Sequence, residues 1–380
     1  MNRQRVSVVE QVVAYDPALA ALVDALRQDA DALQSTASFP TRKVRECTLY
    51  ESLRPDTEPN AIAYYVAIAS GCLTTAFIMT QRNAAIRRIQ SSSNVEAQQT
   101  SLPFIQSGER FATVGISHLT TSRRHLPIPP VVALPHGDGW ELHGCVPWVT
   151  GGAHADFFVL GAVEPHAKEA DTPSDAPPSR DGTVLPIPRE YLFLVPRERA
   201  GIRAGSGMEL LALTSSCTDA VELSGVRVGI EDRLHGPSEN VMAASQAGGA
   251  GGLQTSALAL GLAASAIDYL NVQSHLRSNL AVYVENLIDQ WSEQYAALIR
   301  VAEGATVGSI DLHGLRKRAN DLALQSTQAA LAAAKGAGFL QGHPVSRWCR
   351  EAMFFLVWSC PQPVAEAHLC SFANLDAPWS

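Results

Sequence analysis

Hydrophobic positions within residues 1–110 recur at intervals of three and four, which is typical of α-helices. The clearest set lies on one face of a predicted helix and comprises Leu19, Leu22, Val23 and Leu26. Asp16 is a good N-cap for that helix, and Pro17 suits its first turn. The uncharged run Ile62–Met79 predicts a helix buried inside a helical domain. It is nearly long enough to span a bilayer, but it contains tyrosine, serine, glycine and threonine.

From about Phe111 the pattern changes to short runs of β-branched and aromatic residues separated by turn residues. These runs are Phe111–Ile116, Val131–Leu134, Trp140–His143, Phe157–Val163, Tyr191–Val195 and Ala220–Val228. The segment His136–Gly139 is a plausible hairpin connection. Residues Glu164–Arg189 are rich in Pro, Asp and Ser and predict an exposed loop. Strands at this spacing indicate a small sandwich or barrel.

Helical periodicity returns after the small-residue stretch Ala247–Gly252. One long helix is predicted from Leu253 through Leu287, with apolar residues along one face. A second helix should run from the cap Asp311 to Gly336, and a third from Pro344 to the prolines at 361 and 363. The predicted fold is therefore α+β and multidomain: a helical domain over 1–110, a β-barrel over 111–235, and a C-terminal four-helix bundle over 236–380.

Composition excludes some classes of function. The chain of 380 residues has 46% hydrophobic and 17% charged residues, which describes a globular protein with more than one core. Its formal net charge of −8 gives no reason to expect nucleic-acid binding. The longest basic cluster, Arg316-Lys317-Arg318, is interpreted as one solvated turn of a helix.

The cysteines and the first residues bear on location. Seven cysteines without a Cys-x-x-Cys pair argue against a disulfide framework and against a zinc site, so no metal is predicted. The segment from Met1 to Asp16 has no long apolar core and no cleavage site, so no signal peptide is expected. A reduced compartment, the cytoplasm, is predicted, with no membrane span.

Five segments carry a recognisable order of residue types. They are Gln98-x-x-x-Leu102-Pro103 with Gly108-Glu109; Gly139-Trp140-Glu141-Leu142-His143-Gly144 with Trp148-Val149-Thr150 and Ala155-Asp156; Gly207-Met208 with Thr214-Ser215-Ser216 and Val226-x-Val228; Leu260-Gly261-Leu262-Ala263 with Ala266-Ile267-Asp268 and Arg277; and Arg350-Glu351-Ala352. Each is weak alone, but their order is specific. On these segments the chain resembles the acyl-CoA dehydrogenase superfamily, and residues 15–97 match that family only loosely.

The resemblance implies the same order of domains and an FAD at the junction of barrel and bundle. Trp148, Val149 and Thr150 match the segment that packs beside the isoalloxazine and bonds its N5 edge. The alternative is that Trp148 is a barrel core residue. Arg277 matches an arginine that reaches the FAD pyrophosphate of a neighbouring subunit, which implies a homodimer or homotetramer formed through the bundle. An exposed, solvated arginine is the alternative there.

Further positions match less completely. Gly336 and Gly338 resemble a glycine-rich turn that approaches the same dinucleotide, although glycines at helix ends are often C-caps. The family's T-E-P-x-x-G-S-D is replaced here by Gly115–Thr121. The resemblance thus places Ser117 and His118 among the cofactor-binding residues, with His118 or Thr120 facing the flavin. For His118, an ordinary hydrogen-bonded barrel histidine is the alternative.

Both positions where the family places its catalytic glutamate lack one. Ser359 occupies the first, and Gly251, ten residues before Gly261, occupies the second. A neutral serine cannot remove an α-proton without an activating partner. The catalytic base is therefore unassigned, with Glu366 and Glu351 as candidates from unexpected positions.

The resemblance leads to three hypotheses. The first is an FAD-dependent oxidoreductase acting on the CH–CH group of an acyl thioester, with hydride transfer to flavin N5. The second is a monooxygenase of the same fold, which uses reduced flavin and oxygen and needs no α-proton base. The third is a flavin-binding or flavin-free homologue that has lost catalysis. The sequence leaves open the chain length of the substrate, its carrier and the electron acceptor.

Overall fold

The structure, a computed structural model, describes residues 7–33, 38–54, 57–120, 129–165, 189–244, 252–304 and 311–375. Gly251 and nearly all of the predicted loop Glu164–Arg189 lie outside the described residues. The chain divides into two compact units. The helical unit comprises Met1–Thr80, Glu209–Ser216 and Ala250–Ser380, and the β unit comprises Gln81–Met208 and Cys217–Gly249. The three domain ranges inferred from the sequence remain predictions.

The α-helices of the described residues are numbered in chain order. They are α1 (Val8–Val13), α2 (Pro17–Asp29), α3 (Thr41–Ser52), α4 (Glu58–Gly71), α5 (Leu73–Gln90), α6 (Val95–Thr100), α7 (Leu102–Gln106), α8 (Ser117–Thr120), α9 (Val241–Ala244), α10 (Leu253–Leu276), α11 (Ala281–Ala302), α12 (Leu312–Ala334), α13 (Pro344–Met353) and α14 (Gln362–Phe372). The division between the two units falls inside α5, after Thr80.

The strands belong to one sheet in the β unit. They are β1 (Ala112–Gly115), β2 (Val131–His136), β3 (Gly139–Val149), β4 (Phe157–Glu164), β5 (Arg189–Pro196), β6 (Ile202–Ala204), β7 (Asp219–Val228) and β8 (Arg233–Ser238). The order across the sheet is β6-β7-β3-β2-β4-β5-β8, with β1 paired in parallel to β4. The predicted hairpin is confirmed, because His136 pairs with Gly139 across a two-residue turn. Strands β6 and β8 had not been predicted.

The first part of the helical unit agrees with the sequence predictions, except that one predicted helix is divided into two. Asp16 caps α2 as predicted: its Oδ1 accepts hydrogen bonds from the N–H groups of Ala18 and Leu19, each at 3.1 Å. The run Ile62–Met79 is buried almost throughout, also as predicted. It is not one helix, however, because the backbone of Cys72 is extended (φ −153°, ψ 109°) and separates α4 from α5.

Helix α10 is the core of the helical unit. Every residue from Thr255 to Ile267 is buried, and the helix packs against α4, α11 and α12. Among the described helices it is long and apolar enough to cross a membrane, but 83% of its apolar window is buried inside the protein, as in the core helix of a globular domain. All seven cysteines are free. A cytoplasmic location stays a prediction.

Two predicted helices end earlier than expected. The helix predicted through Leu287 ends at Leu276, because Arg277 has a non-helical backbone (φ −139°, ψ 91°). The chain then folds back, and Trp291 of α11 donates a hydrogen bond to the Leu260 carbonyl of α10 at 2.8 Å. The helix predicted to continue to Pro361 ends at Met353. Pro361 and Pro363 instead begin α14, where a missing N–H costs nothing.

Gly261 allows α10 and α4 to pack closely. A Cβ at this position would overlap the Val66 carbonyl oxygen and would lie 2.6 Å from the Ala69 Cβ. We expect Gly261→Ala to destabilise the protein by about 1–3 kcal/mol, since main-chain atoms of α4 cannot move aside cheaply. Urea unfolding measures the change. Gly342→Ala is the matched control because no atom lies within 4 Å of its added Cβ, and equal losses in both variants would contradict this packing argument.

Alternating side chains of the sheet supply two separate cores in the β unit. Phe158, Leu160 and Ala162 of β4 join one cluster, the first core, with residues of β2, β3, β5 and β7. Val159 and Val163 join a second cluster, which includes residues of α5, α6, α7 and α9. Central strands are therefore apolar on both faces, which explains why they appear in the sequence as continuous runs.

Glu164 joins three strands at one edge of the first core. Its carboxylate accepts hydrogen bonds from Trp140 Nε1 (3.0 Å), Tyr191 Oη (2.7 Å) and Arg189 Nη1 (3.1 Å). Burial alone would raise the pKa of Glu164, but the hydrogen bonds from Trp140 and Tyr191 and the charge of Arg189 together lower it. Tyr191 is correspondingly a poor acid: burial and Glu164 raise its pKa to about 12.

This network predicts a pH dependence. A carboxylate with a lowered pKa in the folded state stabilises the protein above its unfolded pKa, about 4.3, and loses that effect as pH falls through the folded value. We expect Glu164→Gln to cost on the order of 1 kcal/mol at pH 7 and to flatten the acid-side fall of the melting temperature. Melting curves from pH 7 to 3 test this. Glu222→Gln breaks an exposed pair with Arg203 and should leave the slope unchanged.

Candidate functional site

The end of β3 presents the segment that carries Trp148. Val146 pairs with Val221 of β7 and Val149 with Asp219, so three steps on β3 oppose two on β7. Pro147 stands in this bulge, where its lack of an N–H breaks no ladder hydrogen bond. Bulges turn a side chain away from its regular direction, and Trp148 is 51% exposed. It is therefore not a barrel core residue.

The neighbours of Trp148 are buried. The side chain of Val149 belongs to the first core, so only its main chain is available to a ligand. The Thr150 hydroxyl accepts a hydrogen bond from the Thr218 hydroxyl at 3.1 Å, which leaves the Thr150 proton to be donated elsewhere. Thr150 is thus a buried donor two residues after an exposed indole.

The segment after β1 lies at the same end of the sheet. A Cβ at Gly115 would lie 3.5 Å from Val149 Cγ2, so β1 ends beside the end of β3. The half-buried Ser117 begins α8 two residues later. His118 is buried, and its Nε2 lies 3.1 Å from the Gly161 carbonyl oxygen. Because a carbonyl only accepts, this ring nitrogen carries a proton. His118 therefore has the ordinary hydrogen bond of a structural histidine, whatever else it contacts.

Arg277 and the glycine turn come together in the helical unit. Arg277 lies at the turn between α10 and α11, and its Nη2 donates to Gln273 Oε1 and to the Ala333 carbonyl, both at 2.8 Å. Ala333 is in the last turn of α12, immediately before the 3-10 segment Lys335–Phe339 that contains both glycines. Arg277 therefore offsets the dipole of α12 at its C-terminus.

The two glycines differ in their surroundings. A Cβ at Gly338 would lie 2.6 Å from the Ala334 Cβ, so packing against α12 explains that glycine. A Cβ at Gly336 would meet no atom within 4 Å, and its backbone does not require glycine. The described residues therefore leave the main chain at Gly336 open to the approach of a ligand.

Residues 354–360 form the Ser359 turn, which follows α13. Phe354–Leu356 is a short 3-10 segment, and Trp358 stacks on Phe354 with ring centroids 5.0 Å apart. Phe77 contacts both rings edge-on, at 4.9 and 5.0 Å. Ser359 itself is half-buried and has a left-handed backbone (φ 46°), which is uncommon for a residue other than glycine. An aromatic cluster therefore holds the turn on the helical unit.

The carboxylates proposed as substitute bases differ in their environment. Glu351 is buried in α13, where its Oε1 lies 3.5 Å from Arg347 Nε, and burial raises its pKa against the effect of that arginine. Glu366 lies on α14 and accepts a hydrogen bond from Gln362 at 2.8 Å. No hydrogen bond links either carboxylate to Ser359 in the part of the chain that the structure describes. Gly251 lies outside those residues.

Arg316 and Asn320 contact the Ser359 turn, which the sequence analysis did not predict. Arg316 had been placed in a solvated turn, but it is 3% exposed, and only Arg318 of that cluster is exposed. Its Nη2 donates to the Trp358 carbonyl at 3.1 Å, and its Nε donates to Asn320 Oδ1 at 3.2 Å. Asn320 Nδ2 donates to the Phe355 carbonyl at 3.0 Å. The sequence feature that could have indicated their burial is their i, i+4 spacing, which places both on the same face of α12 as its apolar residues.

No protein-family model matches the chain, and no curated protein matches it in sequence. Solved structures do match. Butyryl-CoA dehydrogenase from Megasphaera elsdenii superposes with a TM-score of 0.72 and 16% identity, covering 99% of this chain and 100% of that one. A glutaryl-CoA dehydrogenase from Mycobacterium smegmatis, in complex with FADH2, gives 0.75 and 14% over 100% and 97%. The chain has the acyl-CoA dehydrogenase fold.

A structure with a different activity has the same fold. Dibenzothiophene monooxygenase from Paenibacillus sp. A11-2 matches with a TM-score of 0.70 and 16% identity, covering 97% of this chain and 99% of that one. The predicted fold class is thereby confirmed, including the order of helices, β module and helices. At these identities the likeness establishes the acyl-CoA dehydrogenase fold alone, and the reaction must be argued from the residues.

Proposed function

We propose that this chain is an FAD-dependent oxidoreductase that acts on the CH–CH group of an acyl thioester. The observation that carries the proposal is the acyl-CoA dehydrogenase fold over nearly the whole chain, with Trp148 half-exposed at the position expected beside a flavin. Structures of this fold include a dehydrogenase in complex with FADH2 and another in complex with glutaryl-CoA.

Three groups of residues support the proposal of a flavin dinucleotide. The exposed indole of Trp148 offers an apolar face, and Thr150 keeps one hydroxyl proton to donate. Arg277 uses only Nη2 in its hydrogen bonds with described residues, so Nε and Nη1 are available for phosphate oxygens. Main chain at Gly336 can be approached closely. When bound, FAD would supply the redox step by taking up hydride at N5.

The chain's own residues would bind and polarise the thioester. The Ser359 N–H donates no hydrogen bond to the described residues, so it is available to a thioester carbonyl oxygen. The Ser359 hydroxyl cannot remove the α-proton unaided. Glu366 is the base we favour, because Glu351 is engaged by Arg347 in the interior.

One observation favours a second candidate. A reduced-flavin-dependent monooxygenase needs no α-proton base, and no carboxylate stands at residue 359. A dibenzothiophene monooxygenase shares the fold. This candidate predicts FAD binding without reduction of the flavin by acyl thioesters.

Absorbance of the purified protein tests these alternatives. A flavin spectrum, followed by anaerobic bleaching with butyryl-, octanoyl- or palmitoyl-CoA, is the result we expect for the dehydrogenase. A flavin spectrum that none of these thioesters bleaches would favour the monooxygenase. A folded, colourless protein that takes up no FAD in a titration would refute both and leave a flavin-free homologue.

We also propose a homodimer or homotetramer. Large apolar side chains are exposed around the Arg277 turn and the adjacent glycine turn, namely Val272, Leu276, Val282, Tyr283, Phe339 and Leu340. A second copy would cover this patch and would bring Arg277 to a neighbouring FAD. Light scattering at micromolar concentration should give at least twice the monomer mass. A monomer that still retains FAD would contradict the arrangement.

A further inference from the structure

Arg316 is a buried cation without a carboxylate partner among the described residues. It lies in α12 with 3% of its surface exposed, and its Nη1 is buried without a hydrogen bond. Burial lowers its pKa to about 10, so the guanidinium remains charged at neutral pH. Buried charges are normally paired with opposite charges because desolvation is costly. Packing in a helical core therefore does not explain an arginine here.

The hydrogen bonds of Arg316 are directed at the Ser359 turn. Arg316 holds the Trp358 carbonyl, and Asn320, one helical turn away, holds the Phe355 carbonyl and braces Arg316. No described backbone N–H donates to the Phe355 or the Trp358 carbonyl, so these two side chains satisfy groups that would otherwise be unpaired. Both ends of the turn are thus fixed to α12.

The brace is itself supported by further side chains. His368 Nε2 lies 3.3 Å from Asn320 Nδ2, and His368 Nδ1 lies 3.3 Å from Asp321 Oδ1. Asp321 in turn pairs with Lys317 at 2.6 Å. Asn320 is consequently held on both sides, which limits the movement of the guanidinium that it braces.

The Trp358–Ser359 peptide connects this clamp to the site. The peptide is trans, so its C=O and its N–H point in opposite directions. Since the carbonyl points to Arg316, the Ser359 N–H points away from α12. A cation on the carbonyl withdraws electron density from the peptide and strengthens its N–H as a donor.

We propose that Arg316 is a positioning residue that aims and polarises the Ser359 N–H at the carbonyl oxygen of the bound acyl thioester, with Asn320 as its brace. This inference rests on the proposed function, which supplies the thioester. The role differs from that of a base, because Arg316 donates through the main chain and takes up no proton. A fixed donor of this kind stabilises negative charge on the carbonyl oxygen without reorganisation during the reaction.

The test is isotope-edited infrared spectroscopy of the FAD-bound enzyme with butyryl-CoA labelled with ¹³C at the carbonyl. Hydrogen bonding to the thioester oxygen lowers the frequency of its C=O stretch. In the wild type we expect a downshift relative to free butyryl-CoA. Arg316→Gln removes the charge but keeps an amide donor, and should lose most of the downshift. Affinity for butyryl-CoA should fall roughly three- to tenfold, the loss of about one hydrogen bond.

Arg318→Gln is the matched control, since it removes an exposed charge two residues away and should keep the wild-type frequency. Arg316→Lys restores the charge and should recover part of the downshift. A full downshift in folded, FAD-bound Arg316→Gln would overturn the proposal. If that variant does not fold, Asn320→Ser decides, and a wild-type frequency there would overturn it equally. Failure of the wild type itself to bind or shift any of butyryl-, octanoyl- and palmitoyl-CoA would instead refute the proposed function.

Discussion

Replacement of Ser359 by glutamate should raise the rate of flavin reduction by a suitable acyl-CoA by about 10²–10⁴-fold. That range is the usual effect of a positioned general base on proton transfer. Residue 359 is the position at which the resemblance to acyl-CoA dehydrogenases places a glutamate, and the wild-type serine cannot take up an α-proton. The wild type, which depends on a base from an unexpected position such as Glu366, should accordingly reduce its flavin more slowly than the variant does.

The Ser359 turn can accept this change. The native residue already has a left-handed backbone and a Cβ, so Ser359→Glu adds little strain to what the turn already bears. The turn remains fixed by the stacked Phe354 and Trp358 rings and by Arg316 on the Trp358 carbonyl. A new side chain would therefore extend from a main chain that keeps its native path.

Stopped-flow flavin reduction over a panel of acyl chain lengths is the measurement. Ser359→Gln is the control, because it has the shape of glutamate without a base and should stay at the wild-type rate. Equal rates in the Glu and Gln variants would show that a carboxylate at 359 does not reach the substrate. Fast reduction by the wild type, unaffected by Ser359→Ala, would locate the base elsewhere. Glu366→Gln is the next variant in that case, and Gly251→Glu probes the family's other position.

The sequence predicted the type of most elements because local signals and tertiary packing agree in them. Asp16 and Pro17 begin a helix in the sequence and in the structure for the same hydrogen-bonding reason. The β runs were recognised because both faces of the central strands are buried, which leaves them uniformly apolar. The short strands β6 and β8 lack such runs and went unrecognised.

The breaks between helices could not be predicted from periodicity. Arg277 is compatible with a helix interior, and the apolar pattern continues from α10 into α11, yet the chain reverses there. The reversal is fixed by long-range contacts, such as those of Arg277 with Ala333 and of Trp291 with Leu260. Cys72 likewise separates two buried helices without any local signal. Tertiary packing overrides helix propensity at such positions.

The environments of the candidate site residues could likewise be predicted only in part. The bulge that exposes Trp148 depends on the pairing of β3 with β7, so the sequence allowed both a core and an exposed tryptophan. Arg316 was assigned to solvent because basic clusters usually are solvated. In the folded chain Arg316 is buried and donates to the Trp358 carbonyl, while Asn320 donates to the Phe355 carbonyl. The positions of these carbonyls are defined only by the folded turn, so the sequence pattern does not indicate them.

Loss of the Arg277 guanidinium should weaken FAD binding by about 10–100-fold. Hydrogen bonds to charged groups contribute about 1.5–3 kcal/mol each, and a pyrophosphate is such a group. Arg277→Gln removes the charge while its amide can still reach a neighbouring carbonyl, so the turn should keep its fold. Gly336→Ala should weaken FAD binding as well, because its new methyl group meets no protein atom within 4 Å and would contact only a ligand. Gly342→Ala, equally unencumbered, should bind FAD as the wild type does.

Fluorescence titration of the apoprotein with FAD measures these affinities, and melting curves confirm that each variant is folded.

A mixing experiment then determines whether Arg277 acts within its own protomer. Trp148→Ala and Arg277→Gln should each bind FAD weakly alone. If Arg277 serves the FAD of a neighbouring protomer, a mixed oligomer combines native Trp148 from one chain with native Arg277 from the other, and tight binding returns at a fraction of the sites. Wild-type affinity in Arg277→Gln and Gly336→Ala would show that the cofactor is held elsewhere. Weak binding in both variants that mixing never restores would place Arg277 and Trp148 on one FAD within a single protomer.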